Sequence, residues 1–384
     1  MNKLTGIAIH EISLSEVLPK LPEITQVSES DFNNREDVLF LCALGFEDRC
    51  TTIPKFIAEN TKYKCKESIY FEYSTNPEDN EINREDLVSA LDRFSSIVNS
   101  VQCDSENFSE MLRAILKRIA LEYKVSNITF DISVCSSKLL LTVLKILFEF
   151  NVNLQIVYTE AEIYHPTQEE AKLNLDKWIR EEAAGLTIGV SAVFTLKEYC
   201  GKNIDDLPHA LVAFLTFKPE RIKKAIFYVD ETLLNDPKRI FWIIGKPHLS
   251  ENKWRIQLVK EINKEMIDQL EGSPIYVLST FNYKDILKKL YEIYETYSLQ
   301  YHINIVPFGS KIQLIGVALF HHMKPDTTVI FVLPRKYNAE QYTEGSIEMW
   351  KIDLGKVQEI LSLLDSVGTI KLENFGENNE NRRK

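Results

Sequence analysis

The chain has 384 residues, of which 45% are hydrophobic and 26% charged, and its formal net charge is −11. This length predicts about two domains, and the composition is typical of a globular protein. The acidic balance argues against a broad nucleic-acid-binding surface, because such a surface needs an excess of Lys and Arg. No apolar run reaches the length of a membrane span and no signal peptide is evident, so we expect a cytoplasmic protein without a membrane partner.

Motifs for metal or cofactor binding are absent from the sequence. The six cysteines form no C-x-x-C pair, and they are expected to be reduced thiols in or near the core. His321 and His322 fall late in an apolar helical run and are expected to be helix-end residues, so no metal site is predicted. The P-loop pattern G-x-x-x-x-G-K-[ST] and the dinucleotide fingerprint G-x-G-x-x-G are both missing, and no cofactor is predicted.

After an N-terminal arm (residues 1–36), residues 37–165 show a regular alternation of strand and helix signals. The buried strand "VLFLCALGF" ends in a turn with Asp48 and Arg49, and a helix follows. The strand "SIYFEYS" precedes the amphipathic helix "SEMLRAILKRIALEY". The strand "NITFDIS" then runs through an S-S-K turn into an apolar helix, and the strand "NLQIVYT" ends at a tyrosine-containing loop.

The same order of signals returns in residues 208–353, after a connector (166–207) that begins with a predicted helix. An offset of 173 residues carries Lys138 onto Lys311 and Tyr164 onto Tyr337, and an offset of 172 carries Arg49 of the first turn onto Arg221. We therefore predict an internal duplication. Residues 354–371 are expected to form a closing helix and residues 372–384 a disordered tail.

Alternating strands and helices, with strands that are near-continuous apolar runs, predict a parallel sheet covered on both faces. The predicted fold class is α/β, with two duplicated Rossmann-like units, a short N-terminal arm and a helical connector. Ligands of such sheets bind beyond the carboxyl ends of the strands. The conspicuous polar residues of both halves fall at these strand ends.

Lys138 and Lys311 each begin an apolar helix. The first turn of a helix has unpaired N–H groups and a partial positive charge, so it favours an anion over a cation. Ser137 and Ser310 can cap these helices or donate hydrogen bonds. Either the turns bind phosphate or another anion, or each lysine is a solvated side chain near a capped helix. Their repetition favours the anion site.

Arg49 and Arg221 follow the first strand of each half. An arginine there can bind phosphate or carboxylate with its fork of donors. The alternative is a local ion pair, with Glu47 or Asp48 in the first half and with Glu220 in the second.

Tyrosines lie at or after the last strand of each half. Tyr164 and Tyr337 can stack on a base or serve as packing residues. Arg335 beside Tyr337 favours an anionic ligand, whereas the matching loop of the first half carries Glu160 and Glu162. The two halves are therefore not chemically equivalent at this loop.

The stretch "INIVPFGSKIQLIGVALF" resembles the signature of CARF domains, which are Rossmann-like sensors of cyclic oligonucleotides in CRISPR-associated defence. Two such units in one chain are similar to SAVED sensor domains. The matching positions are Asn304, Gly309, Ser310 and Lys311 in the second half, and Asp131, Ser136, Ser137 and Lys138 in the first.

The resemblance implies that the strand ends of two units face one shared pocket, with Lys138, Lys311, Arg49 and Arg221 around a ligand with several phosphates. It further implies a sensor of a phosphorylated nucleotide, linear or cyclic, in a prokaryotic antiviral defence system. Because the chain shows no effector domain, the output is expected in a partner effector protein or in a homo-oligomer. Two alternatives stay open: a metal-independent phosphodiesterase that degrades such a nucleotide, with no catalytic residue assigned, and a non-catalytic interaction scaffold.

Overall fold

The computed structural model describes residues 7–33, 35–123, 126–181, 187–338 and 342–374. The strands in these ranges are β1 Ile7–Glu11, β2 Thr25–Gln26, β3 Glu36–Ala43, β4 Lys64–Glu72, β5 Ser95–Gln102, β6 Ser126–Asp131, β7 Val152–Thr159, β8 Ile163–Tyr164, β9 Thr187–Thr195, β10 His209–Leu215, β11 Ile240–Lys246, β12 Ile275–Ser279, β13 His302–Val306, β14 Thr328–Tyr337, β15 Thr343–Glu344, β16 Met349–Lys356 and β17 Ile370–Asn374. The α-helices are α1 Leu14–Val17, α2 Thr52–Asn60, α3 Pro77–Glu81, α4 Arg84–Phe94, α5 Phe108–Glu122, α6 Ser137–Leu147, α7 Gln168–Glu181, α8 Pro219–Val229, α9 Trp254–Ile262, α10 Lys264–Gln269, α11 Tyr283–Tyr297, α12 Lys311–Met323 and α13 Val357–Asp365.

Two sheets with the same topology form the framework of the molecule. The first has the order β2-β16-β7-β6-β3-β4-β5, and the second has the order β12-β11-β10-β13-β14-β9. In each sheet five strands are parallel, and the first strand of the half lies at their centre. An antiparallel strand, β16 or β9, then pairs with the fifth. The predicted α/β fold with two Rossmann-like units is confirmed.

The antiparallel strands are exchanged between the halves. β9 lies in the segment after the first half, the predicted connector, yet it pairs with β14 of the second sheet. β16 follows β14, the fifth strand of the second half, and begins within the predicted range 208–353, yet it pairs with β7 of the first sheet. Each sheet is thus completed by a segment that follows the fifth strand of the other sheet.

In each half, one of the five parallel strands was not predicted from the sequence. β5 and β12 lie at the edges of their sheets, and each pairs with only one neighbouring strand. Their side chains are partly exposed, including Ile97 at 53% and Val277 at 40%. An edge strand lacks the continuous apolar run by which buried strands are recognised.

The two ends of the described chain meet in a small antiparallel pair, β1 with β17. The tail predicted to be disordered begins at residue 372, but residues 372–374 belong to β17, so that part of the prediction was wrong. Residues 375–384 lie outside the described residues. The N-terminal arm also contributes β2, which pairs with β16 at the edge of the first sheet.

Helices differ in how much of their surface is buried. On α5 the buried residues Phe108, Leu112, Leu116 and Ile119 share one face, as expected for an outer amphipathic helix. α6 and α12 are buried nearly all round, and side chains of both belong to one hydrophobic core that extends across the two halves. No helix in the described ranges is long and apolar enough to cross a bilayer.

Gly316 allows α12 to pack closely against α11. A Cβ at this position would lie 2.3 Å from the carbonyl oxygen of Tyr283 and 3.1 Å from Cβ of Ile286. Helix propensity alone would make Gly316→Ala stabilising by about 1 kcal/mol. Because the α11 backbone would have to shift, we expect instead a loss of about 1–3 kcal/mol in the free energy of unfolding, measured by urea denaturation. A gain in stability would contradict this close packing.

Candidate functional site

A cavity of about 710 Å³ lies between the carboxyl ends of the two sheets. Residues that follow parallel strands of both sheets line it, including Gly45 after β3 and Thr216 after β10. This edge of a parallel α/β sheet is where ligands bind, and the volume is typical of small-molecule sites.

Every residue that the sequence predicted as ligand-binding lines this one cavity. The first half contributes five of them: Arg49, Ser136, Ser137, Lys138 and Tyr164. The second half contributes six: Arg221, Gly309, Ser310, Lys311, Arg335 and Tyr337. The two S-K turns therefore face a common space, as a shared pocket requires. That these residues bind a ligand stays a prediction.

The helix caps show that the two turns differ by one residue in register. Oγ of Ser136 accepts a hydrogen bond from the backbone N–H of Leu139 at 3.2 Å. Oγ of Ser310 accepts from the backbone N–H of Gln313 at 3.1 Å. Of the two roles considered for Ser137, capping of α6 is excluded, because Ser136 occupies the N-cap that corresponds to Ser310.

The Ser310 hydroxyl and Gly309 also have structural roles. The hydroxyl donates to the backbone carbonyl of Thr280, in addition to capping α12. A Cβ on Gly309 would lie 2.9 Å from Cδ1 of Phe214 and 2.6 Å from Oε1 of Gln313. Glycine is therefore needed here for packing, and the packing alone accounts for it.

The two lysines consequently occupy different helix positions. Lys311 is the first residue of α12, whereas Lys138 is the second residue of α6. Neither ammonium group makes a hydrogen bond or ion pair with another residue that the structure describes. Burial, reinforced by the nearby guanidinium of Arg49, lowers the pKa of Lys311 to about 8. A bound anion would offset both the burial and the unfavourable position of a cation at a helix N-terminus.

Arg49 forms the local ion pair that was one of its two interpretations. It is 2% exposed, and Nη2 lies 2.7 Å from Oε2 of Glu47. Nη1 donates to the carbonyl of Thr159 at 3.1 Å and approaches the hydroxyl of Tyr158 at 3.5 Å. That hydroxyl is 3.0 Å from the hydroxyl of Tyr164. Arg49 is thus engaged in holding the first half together at the cavity wall.

Arg221 differs, because within the described residues it has no ion pair with Glu220 or any other carboxylate. Nη2 donates to the carbonyl of Val332 at 2.6 Å, and the guanidinium lies 4.3 Å from the ring centroid of Phe308. Its buried Nε has no hydrogen-bond partner. Burial lowers the pKa of Arg221. A charge without a counterion thus remains beside the cavity in the second half.

Two further cations line the cavity and were missed from the sequence. Burial lowers the pKa of Lys218 to about 8 and that of Arg255 to about 10. Arg255 donates to the carbonyls of Tyr164, His165 and Pro166 at 2.7–3.1 Å. Arg255 lies in the stretch "GKPHLSENKWR" that begins at the end of β11, and Lys218 shares the turn of Arg221. A search of every turn after a predicted strand would have found Lys218.

The cavity wall is cationic although the whole chain is acidic. Seven Lys or Arg residues line it among the residues that the structure describes: Arg49, Lys138, Lys218, Arg221, Arg255, Lys311 and Arg335. Only three carboxylates line it: Glu47, Asp104 and Glu160. This local excess of positive charge, in a chain of net charge −11, favours an anionic ligand.

Segments from both halves meet at one border of the cavity. β8 pairs with β15, with Tyr164 opposite Thr343, and the hydroxyl of Thr343 donates to the Glu47 carboxylate. Phe46, Tyr337 and Tyr342 form an aromatic cluster with ring centroids 5.5–6.4 Å apart. The tyrosines predicted to meet a base are therefore parts of the contact between halves as well as of the cavity wall.

Other candidate chemistry lies outside this site. Among the described residues, no group of three or more His, Cys, Asp and Glu is arranged to hold a metal ion. Cys50 is a buried free thiol, and burial raises its pKa to about 12, which keeps it protonated and unreactive. His321 is also buried, at the contact between α6 and α12, where its Nδ1 lies 3.1 Å from Nζ of Lys145.

Comparisons with known proteins do not assign this chain to a family. No family model matches the chain, and no curated protein sequence matches it. The cytoplasmic domain of a prokaryotic cation chloride cotransporter is 8% identical, with a TM-score of 0.24, and the match covers 80% of this chain and 99% of that one. A multidomain structure (adenylation, ketoreductase and pseudo Asub) of a keto acid-selecting NRPS module is 11% identical, with a TM-score of 0.19, covering 83% and 29% respectively. Similarities this weak carry no argument about function.

The contrast between the two arginines gives a matched test of stability. Glu47→Gln leaves the buried Arg49 without its counterion, so we expect a loss of about 3–5 kcal/mol in the free energy of unfolding. Glu220→Gln changes the acid that directly precedes Arg221, which is exposed and unpaired with Arg221, so a change within about 0.5 kcal/mol is expected. Chemical denaturation of both variants measures this difference, and equal effects would contradict it.

Proposed function

We propose that this protein binds a phosphorylated nucleotide in the cavity between its two halves and signals the bound state to a partner effector. The observation that supports this most is the cationic wall, to which both halves contribute. Lys138, Lys311 and Arg221 line it without a carboxylate partner among the described residues. Half-buried cations that form no ion pair are costly, and a polyanionic ligand would stabilise them.

The helix N-termini add to the same site. α6 and α12 both begin at the cavity, and their first residues line it. The leading N–H groups of a helix have no partner within the helix, and the helix dipole favours a negative charge there. Two such termini facing one space, each with a lysine in its first turn, suit a ligand with two or more phosphates.

Aromatic residues in the wall suit nucleobases. Phe217, Phe281 and Phe308 line the cavity together with several tyrosines. Bases stack on such rings with little dependence on sequence. The cavity volume is in the upper part of the range for small-molecule sites, which favours a ligand of more than one nucleotide. Phosphate charge and base stacking together support a nucleotide over a simple anion.

The signalling role rests on the resemblance to CARF and SAVED sensors. In this proposal the protein works in the cytoplasm as part of a prokaryotic antiviral defence system, and the output lies in a partner protein or in self-assembly. Incubation of the protein with a cyclic nucleotide, followed by chromatography, separates this role from that of a phosphodiesterase. Recovery of intact ligand supports a sensor, whereas linear products would show an enzyme.

Isothermal titration with cyclic dinucleotides tests the site. Because hydrogen bonds to charged groups contribute about 1.5–3 kcal/mol each, Lys311→Ala and Arg221→Ala are each expected to weaken binding roughly ten- to hundredfold. Lys117→Ala, on the exposed face of α5 and away from the cavity, is the matched control and is expected to bind as the wild type does. Binding that survives the double variant Lys311→Ala with Arg221→Ala would contradict the proposed site.

The pH dependence of binding tests Lys311 in particular. The free protein holds Lys311 with a pKa of about 8, so its charge is present below that pH and is lost above it. We expect affinity for the phosphorylated ligand to fall between about pH 7 and about pH 9 in the wild type, and to fall less in Lys311→Arg, which stays charged. Lys218, with a pKa also near 8, contributes the same fall to both proteins. Identical pH profiles would contradict the role of Lys311.

A further inference from the structure

Three carboxylates line the cavity among the described residues, and they differ in how well they are satisfied. Glu47 pairs with Arg49 at 2.7 Å. Asp104 accepts hydrogen bonds from the backbone N–H and the hydroxyl of Ser74. Glu160 is 4% exposed, and the partners of its carboxylate in the described part of the chain are Nε2 of His248 and the indole N–H of Trp350. Among the described residues, Glu160 is thus the one of the three that has neither an arginine nor a hydroxyl partner, which makes it the candidate for contact with a ligand.

Elements of both halves surround Glu160. It follows β7 of the first sheet, and its Oε2 lies 3.4 Å from Nε2 of His248, which follows β11 of the second sheet. His248 stacks on Phe281 with ring centroids 4.3 Å apart, and Phe281 meets Trp350 of β16 edge-on at 4.9 Å. The indole N–H of Trp350 is buried, and the acceptor it interacts with among the described residues is the Glu160 carboxylate. We call Glu160, His248, Phe281 and Trp350 the Glu160 corner.

This corner combines aromatic rings with a carboxylate that has no lysine or arginine partner among the described residues. Proteins recognise an unpaired base by stacking it on aromatic rings and by hydrogen bonds to its Watson–Crick edge. An ionised carboxylate is acceptor-only and can accept two parallel hydrogen bonds. Guanine presents two adjacent donors, N1–H and the N2 amino group, whereas adenine presents one donor beside an acceptor. Guanine is thus the base that matches an ionised Glu160.

We propose that the Glu160 corner seats a guanine base of the nucleotide ligand, with its N1–H and N2 amino group donating to the two oxygens of Glu160. This inference rests on the proposed function and specifies the ligand of the same cavity. The carboxyl end of β14, the fifth strand of the second half, contributes Arg335 to the wall and no carboxylate in the described residues. The site therefore recognises guanine at one corner only.

The protonation state of Glu160 determines whether it can pair with guanine or with adenine. Burial raises its pKa to about 7, and the nearby charges of Glu348 and Glu251 act in the same direction. Arg49 and the indole N–H of Trp350 oppose the shift, and burial lowers the pKa of His248, which keeps that ring neutral. Guanine requires the carboxylate, whereas adenine pairs with the protonated acid, which has one donor and one acceptor. Rising pH should therefore favour guanine over adenine.

Titration of the full chain with cyclic di-GMP, cyclic GMP–AMP, cyclic di-AMP, GTP and ATP tests the proposal. A bidentate contact to the correct base contributes about 1–3 kcal/mol of discrimination, so we expect guanine ligands to bind roughly five- to hundredfold more tightly than their adenine counterparts. Glu160→Gln, which replaces one acceptor by a donor, is expected to abolish that preference. Glu162→Gln, two residues along the same loop, exposed and outside the cavity wall, should keep it.

A measurement on the unmodified protein gives an independent test. The ratio of guanine-ligand to adenine-ligand affinity should rise between about pH 6 and about pH 8, while effects of the phosphate-binding lysines cancel in the ratio. Equal binding of guanine and adenine ligands, with a ratio independent of pH, would overturn the guanine assignment and leave the proposed function intact. A failure of all five nucleotides to bind would overturn both.

Discussion

The reciprocal exchange of antiparallel strands is the constraint on which the rest of this structure depends. β9 completes the second sheet and β16 completes the first, so neither sheet is whole without a segment that follows the other half. The chain must therefore cross between the halves twice, and both crossings pass the carboxyl ends of the parallel strands, where β8 pairs with β15. The cavity is bordered by these crossings. A site between the halves is in this sense a consequence of how the sheets are completed.

The two halves share a topology but contribute different side chains and charges to the cavity wall. In the first half, Arg49 is neutralised by Glu47 and supports the wall. In the second half, Arg221 keeps its charge and Lys311 occupies the first position of its helix. The halves also differ in the loop after the fifth strand, where the first half has Glu160 at the cavity and the second half has Arg335. Such differences fit a ligand whose two ends are unlike, because a symmetric ligand would be served equally by equal halves.

The sequence predicted the fold class and the position of the site residues at the strand ends of each half, because both follow from local pattern. Apolar runs that end in polar turns locate the carboxyl ends of parallel strands, and those ends meet at one edge whatever the detailed pairing. The cap at Ser136 was missed because adjacent serines offer equivalent caps, and only the hydrogen bond to Leu139 distinguishes them. The sequence could not predict that Arg49 forms an ion pair and Arg221 does not, since each arginine directly follows an acidic residue. The exchange of β9 and β16 depends on pairing between distant segments, which periodicity does not encode.

The exchange of β16 also sets an order in which the protein can mature on the ribosome. When residues 37–165 have emerged, β7 still has an unpaired edge, and its partner lies almost two hundred residues further along the chain. An open sheet edge is a template for unwanted pairing, so the nascent first half carries that liability until synthesis is nearly complete. The apolar side chains of α6 likewise remain incompletely buried until α12 has been synthesised, because the two helices belong to one hydrophobic core. A chain interrupted before residue 349 would therefore lack a finished first sheet as well as the closed border of the cavity.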